Sequence, residues 1–338
     1  MHLSALGWND VLAQAFQPHL DQQLQPARVV QAHRQAYVLH LGPATAPGIC
    51  TGRLLHAAAT RADLPVVGDW VAVRPRPVEP RADIHAVLPR RTRLSRRAAG
   101  PTDEEQVLAA NLDAVFLLTA LDANFNLRRI ERYLTLAREG GVQPVVVLNK
   151  ADLHPDPAAA LADTAAIAGD APVVTLSAAQ GTGLDQLDPW LRPAATLALL
   201  GSSGVGKSTL INRLLGTARQ ATAPLSDAMA RGRHTTTHRE LFVTPGGALV
   251  IDTPGMRELQ LWDPPAAAMA DTFADVATLA AACRFHDCRH AGEPGCAVQA
   301  ALADGRLDPG RWTSYRKLRR EQAYAATRED PRLARAHR

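Results

Sequence analysis

The run Gly201-Ser202-Ser203-Gly204-Val205-Gly206-Lys207-Ser208-Thr209 has the form G-x-x-x-x-G-K-[ST], and it follows the apolar stretch Thr196 to Leu200. A strand, a glycine-rich turn and a helix N-terminus together offer backbone N–H groups and a favourable dipole to phosphate. Lys207 can reach the β- and γ-phosphates, and Ser208 can present its hydroxyl to Mg²⁺. Further on, Asp252-Thr253-Pro254-Gly255 closes another apolar stretch. There the Asp252 carboxylate can hold Mg²⁺ through water, and the Gly255 N–H can meet the γ-phosphate. Between the two lies Arg231-Gly232-Arg233-His234-Thr235-Thr236-Thr237, in a polar stretch that begins at Gly216 and suits a nucleotide-sensing loop. One of these threonines is expected to complete the Mg²⁺ shell, with Thr236 the first choice; ordinary loop residues are the alternative.

A second constellation selects the base. Asn149-Lys150-Ala151-Asp152 follows the apolar run Pro144 to Leu148 and has the form N-K-x-D. A carboxylate at Asp152 accepts from guanine N1–H and the exocyclic amine, which adenine lacks, while Asn149 serves the O6/N7 edge. ATP would leave that carboxylate mis-paired, which is costly. Ser177-Ala178, after Val173 to Leu176, resembles the S-A-x element whose backbone N–H contacts guanine O6. Arginine carries most of the positive charge, and two of the three lysines, Lys150 and Lys207 but not Lys317, fall inside these motifs. A compact ammonium on a flexible stem is what such sites use.

The guanine motif precedes the phosphate motif by about fifty residues, the reverse of the usual GTPase order. Circular permutation keeps all parts around one nucleotide when the original termini lie close together. It also joins the chain after Gly255 to the C-terminal region, so movement of that segment with nucleotide is expected to reach that region. Met256 stands where Ras-like enzymes place the glutamine that orients water. A thioether does this poorly, so slow intrinsic hydrolysis accelerated by a partner is expected; His234 and His238 are alternative sources of a substitute group.

The third constellation is Cys283-x4-Cys288-x-His290-x5-Cys296, three thiolates and one imidazole, the ligand count of a closed structural zinc site. His286 is an alternative nitrogen ligand. The fourth cysteine, Cys50, reads as a small buried hydrophobe. Disulfide stapling does not fit this clustering.

These groups need a scaffold. Residues 1–27 read as a helical N-terminal extension, with Leu6, Trp8, Val11, Leu12 and Phe16 at helical spacing and Pro18 as the stop. Residues 28–97 carry the short β-rich runs Val29 to Ala32, Tyr37 to Leu41, Ile49 to Leu55, Val66 to Val73 and Ile84 to Leu88, which suit an OB-fold barrel or another small β-module. Residues 98–262 alternate apolar strands with helices, notably Leu127 to Glu139 and Lys207 to Leu215, the α/β signature of a P-loop GTPase domain. Residues 263–338 are Ala-rich and helical around the Cys/His cluster, ending in a basic tail. In all, the fold class is multidomain: N-terminal β-barrel, central permuted α/β GTPase domain and C-terminal α-helical zinc-binding domain.

At 338 residues the chain exceeds one ordinary core. No apolar run approaches the length needed to span a bilayer and the first residues lack a signal-peptide pattern, so a cytoplasmic protein without membrane contact is expected. The net charge of +4 and pI near 9.1 permit nucleic-acid binding. Two basic stretches, Arg90 to Arg97 and Arg306 to Arg338, favour RNA together; in the second, Arg316, Arg319 and Arg320 share a helix face. A solvated helix is the alternative there.

With the permuted motif order, the Gly232 to Glu240 segment, the Gly68-Asp69-Trp70-Val71 stretch and the Cys/His spacing, the sequence resembles the RsgA (YjeQ) family of ribosome small-subunit-dependent GTPases over roughly Arg28 to Arg320. The resemblance implies GTP/GDP and Mg²⁺ at the nucleotide site, one structural Zn²⁺, and a monomer acting on the small subunit and its 16S rRNA during late maturation, with hydrolysis stimulated by that subunit. A GTP-gated RNA-binding scaffold and a GTPase acting on a protein target are the rival readings. The segment before Arg28 matches no motif of the family.

Overall fold

Short β-runs broken by Gly, Pro and Asp bury their apolar sides only by curling together. In the computed structural model, which describes residues 2–33, 36–76, 78–98, 104–216, 239–253 and 266–329 and side chains as far as residue 323, they form a five-stranded barrel. Its strands are β1 (Gln25–Ala32), β2 (Tyr37–His40), β3 (Thr45–Cys50), β4 (Trp70–Arg76) and β5 (Arg81–Val87). They pair in the order β1-β2-β3-β5-β4, and β4 closes onto β1. This is the barrel expected from the sequence. The expected strand Ile49 to Leu55 breaks at Thr51, whose hydroxyl accepts from Leu54 N and starts α2 (Gly52–Ala57). Ile49 stays in β3, and the N-cap at Thr51 turns the residues after Cys50 into helix.

Ahead of the barrel, Asn9 caps α1 (Asp10–Leu20) by accepting from Leu12 N. Pro18, expected to end this helix, lies inside its last turn. Its fixed φ is helical and its ring obstructs only the turn before it, so the chain runs two residues further. Leu6 and Phe16 are buried, and Trp8 meets Phe16 and Trp70 edge-on at 5.9 and 4.9 Å. Fully buried Arg28 stacks over Trp70, donates to Leu6 O, and reaches Thr196 Oγ1 at 2.9 Å. Burial pulls its guanidinium down to about 10, against the attraction of Asp113 and Asp69. One cation thereby ties the N-terminal segment, the barrel and the central sheet.

A hairpin of β6 (Arg93–Arg97) and β7 (Glu105–Ala110) leads to the central sheet. That sheet comprises β8 (Ala114–Ala120), β9 (Gln143–Asn149), β10 (Val173–Thr175), β11 (Thr196–Leu200), β12 (Arg239–Val243) and β13 (Leu249–Asp252), in the order β10-β9-β8-β11-β13-β12. All but β12 run parallel. Every residue of β8 is buried, as a strand covered on both faces requires. Val115 and Leu117 enter one core while Ala114, Phe116, Leu118 and Ala120 enter the other, the period-two division of a strand. The covering helices include α3 (Leu127–Glu139), α4 (Pro157–Ala168) and α5 (Lys207–Leu215). At its far edge β12 pairs with β1 of the barrel, Gln31 opposite Glu240, so barrel and central sheet share one hydrogen-bonded ladder.

The C-terminal region is α6 (Ala266–Thr272), α7 (Ala274–Ala281), α8 (Ala297–Ala303) and α9 (Pro309–Glu329). It docks on α3 through charge. Arg311 donates to both Asp275 oxygens at 2.7 Å and to Glu131 Oε1 at 2.9 Å, while Arg132 makes two bonds to Glu321, 2.8 and 2.7 Å. No helix among the described residues is long and apolar enough to cross a membrane.

Candidate active site and metal centre

Parallel strands bring the motifs to one edge. Asn149 ends β9, Gly201 follows β11, Asp252 ends β13 and Ser177 follows β10, so all four stand at the carboxyl side of the sheet, where open α/β folds bind ligands. The guanine and phosphate motifs, about fifty residues apart in sequence, meet through Asn149. Its Nδ2 donates to Val205 O at 2.8 Å, and its Oδ1 accepts from Ala178 N at 2.9 Å. One buried carboxamide thus joins the N-K-x-D, P-loop and S-A elements. The Ala178 N–H, expected at guanine O6, is donated to Asn149 here. Arg213 holds the Ala178 and Ala179 carbonyls from α5, and Ser177 Oγ accepts from Gln180 N. Asp152 is exposed beside them, in a short helical turn after Lys150.

The loop from Gly201 to Gly206 uses its glycines physically. Gly204 and Gly206 take φ +80° and +96°, and a Cβ on Gly206 would sit 2.3 Å from Asn149 Nδ2. Lys207 begins α5 and donates through Nζ to Gly201 O and Ser202 O at 2.6 and 2.8 Å. Two of its three N–H groups therefore brace the loop and one remains for a phosphate. Burial lowers its ammonium to about 8, with Asp252 pulling the other way, so an anion in the loop restores charge that burial weakens. Ser203, Ser208 and Thr209 complete the loop and first helical turn. Thr253 Oγ1 donates to Leu199 O at 2.5 Å and fixes the end of β13 beside that loop. Thr236, Gly255, Met256, His234 and His238 lie outside the described residues.

Two contacts were not legible as motifs. Lys150, at the strained φ of +63°, donates to Asp122 at 2.9 Å. Asp122 follows β8 as Asn149 ends β9, and a polar residue at that edge is the signal that marks it. Arg129, in the first turn of α3, donates to Ser202 Oγ at 3.0 Å. Nothing in local spacing announces that pair.

The basic stretch at Arg90 to Arg97 is partly committed to partners within the protein, while Arg91 and Arg93 stay exposed. Arg90 makes paired 2.8 Å bonds to fully buried Asp69 and also donates to Ala62 O and Leu64 O. Arg91 pairs with Asp113, Arg93 with Glu105, and Arg96 donates to Gln106. Arg90 thus fastens to the loop before β4, Arg91 reaches the turn before β8, and Arg93 and Arg96 bond across the β6–β7 hairpin. In the C-terminal stretch Arg311 is likewise buried, whereas Arg316, Lys317, Arg319 and Arg320 are exposed on α9.

Cys283, Cys288, His290 and Cys296 converge, their ligand atoms all within 4.8 Å of one another. His290 Nδ1 lies 3.5 and 3.4 Å from the sulfurs of Cys283 and Cys296, which are 3.9 Å apart. Tetrahedral bonds of about 2.0–2.3 Å around one zinc give edges of this length. His286 is not part of the cluster. Gln299 Nε2 donates to His290 O at 2.6 Å and Trp312 meets the imidazole edge-on, so the donor set is held from outside.

The family model for the RsgA GTPase matches residues 87–262. A protein of Opitutus terrae, "Small ribosomal subunit biogenesis GTPase RsgA", is 64% identical over 100% of this chain and 94% of its own length. The chain belongs to the RsgA GTPase family. A Syntrophotalea carbinolica protein with the same description is 46% identical over 98% of this chain and 92% of its own. Among solved structures, YjeQ from Thermotoga maritima superposes with a TM-score of 0.63 at 26% identity, covering 88% of this chain and 98% of that one. YloQ, described as a circularly permuted GTPase, gives 0.60 at 23% identity, covering 88% and 95%, and supports the fold. As an RsgA GTPase the chain is a GTP hydrolase with its motifs in permuted order, a five-stranded barrel before them and a helical Cys3His region after.

Proposed function

We propose that this GTPase acts in the cytoplasm as a single chain on the small ribosomal subunit, contacting its 16S rRNA and assisting its late maturation, and that the subunit accelerates GTP hydrolysis. The near end-to-end match to the Opitutus terrae protein carries this reading, because that protein is described as a small ribosomal subunit biogenesis GTPase. The exposed arginines of α9 supply phosphate contacts.

At the nucleotide site, the backbone of Gly201 to Gly206 and the Lys207 ammonium bind the phosphates, and Asp152 takes guanine N1–H and the exocyclic amine. Asn149 orders the base loop and the phosphate loop together, as its bonds to Val205 and Ala178 support. Ser208, Asp252 and Thr236 are assigned to Mg²⁺, and the Gly255 N–H to the γ-phosphate. Mg²⁺ at that position would neutralise charge on the β- and γ-oxygens. The donor set Cys283, Cys288, His290 and Cys296 fits a structural zinc, which would hold the loop between α7 and α8. With Met256 in place of a water-orienting glutamine, unstimulated turnover is slow.

The test is GTP and ATP turnover by the full chain with and without purified small subunits. Stimulated turnover with GTP alone supports the reading. Equal use of ATP, or no response to the subunit, overturns it.

A further inference from the structure

Two cations converge on one residue of the phosphate loop. Lys207 Nζ holds the Ser202 carbonyl at 2.8 Å, and Arg129 Nη1 holds the Ser202 hydroxyl at 3.0 Å. Lys207 belongs to the P-loop pattern; Arg129 comes from α3, seventy-three positions away in sequence. Asn126 caps that helix by accepting from the N–H groups of Arg128 and Arg129 themselves, so the first turn bearing Arg129 is fixed at its base.

The neighbours of Arg129 on the same helix hold the C-terminal region. Arg128 pairs with Asp308 just before α9 and with Glu131; Glu131 accepts from Arg311; Arg132 makes its two bonds to Glu321. Positions 128, 131 and 132 share a helix face, and position 129 lies three residues before 132. A groove of about 570 Å³ separates α3 from α9, and Arg128, Arg129, Arg132 and Lys317 line it. A shift of α9 against α3 therefore moves the turn that carries Arg129.

We propose that Arg129 is a positioning residue for GTP hydrolysis: it fixes Ser202, and with it the phosphate loop, from a helix whose setting the C-terminal region controls. A partner that grips the C-terminal region reaches the phosphate site through α3 and Arg129. This route is additional to the covalent one after Gly255. The inference rests on the GTPase reading, but its own contact can fail separately.

The experiment measures kcat and KM for GTP on the full chain, with and without small subunits, for wild type, R129A, R129K, S202A and R129A/S202A. Losing a charge-assisted bond at a half-buried hydroxyl predicts about a tenfold fall in kcat for R129A, with KM changed less than about threefold. S202A falls similarly, and the double variant is no worse than either single one. R129K recovers little, because lysine lacks the planar fork and its reach. E321Q, far from the nucleotide, lowers the stimulated rate in the wild-type background and adds nothing to R129A. If R129A proves unfolded by circular dichroism, S202A and E321Q carry the test. Wild-type kcat in R129A and S202A, or full additivity in either double variant, overturns the proposal. Absence of GTP turnover in the wild type refutes the GTPase reading instead, and absence of subunit stimulation refutes only the partner, since the unstimulated rates still test the Arg129 contact.

Discussion

Replacing Gly206 by alanine tests how the guanine and phosphate motifs are joined. Gly206 sits at φ +96°, where an L-residue carries a strain of roughly 1–2 kcal/mol. Its new Cβ would fall 2.3 Å from Asn149 Nδ2, in the amide that also holds Val205 O and the Ala178 N–H. Displacing Asn149 breaks two buried hydrogen bonds, each about 1–2 kcal/mol when partners are left unmet. The sum is about 3–6 kcal/mol. The empty loop relaxes part of this, and nucleotide must restore the original geometry, so GDP affinity is expected to fall at least about hundredfold. Gly204→Ala is the internal control. Its φ is +80° but nothing described lies within 4 Å, so only backbone strain applies, about 1–2 kcal/mol or 5- to 30-fold. Calorimetric titration of GDP into both variants decides the matter: if Gly206→Ala binds within about threefold of Gly204→Ala, the Asn149 contact does not join the two motifs.

Asp152→Asn exchanges acceptors for a mixed amide, so GTP affinity should fall about a hundredfold while a purine with a 2-oxo group gains; competition titrations with the two triphosphates read the exchange. Asp69→Asn keeps shape but leaves Arg90 unpaired in a buried site, for about 3–5 kcal/mol, whereas Arg91→Ala breaks only an exposed pair with Asp113 and should stay within about 1 kcal/mol; apparent melting temperatures that fail to separate the two would refute the assignment. Thiol modification should release about one zinc per chain and reduce helicity, leaving GDP binding in place, and a colorimetric zinc assay alongside GDP titration checks both.

The parallel strands were legible nearly to the residue, because runs such as Thr196 to Leu200 are covered on both faces and need no partner pattern to declare themselves. The same holds for α3 and α5, whose expected limits are those observed. The β6–β7 hairpin was not legible, since it pairs residues on either side of the boundary read between residues 97 and 98. Charge is less telling than hydrophobicity. Arg90 looks in sequence like Arg316, yet one is half-buried and anchored on buried Asp69 and the other is exposed, and only long-range packing distinguishes them. The motif residues announced themselves through spacing, whereas their supports, Asp122 for Lys150 and Arg129 for Ser202, lie 28 and 73 positions away with no period to connect them.

Permutation gives those supports their significance. Among the described residues the chain enters the central sheet at β8 and its last strand there is β13, and both pair directly with β11, on opposite sides of it. The strand that ends in the phosphate loop is therefore bordered by the two strands nearest the flanking regions. The barrel has a second hold, since β12 pairs with both β13 and β1. A displacement arriving from either region need cross only one strand spacing, about 4.8 Å, to reach β11. An unpermuted chain would begin with β11 itself, and a preceding module would hang from the phosphate strand alone. Opening the chain between β13 and β8 instead places the phosphate loop between two attached bodies, which suits the proposed reading in which a partner gripping one of them accelerates hydrolysis.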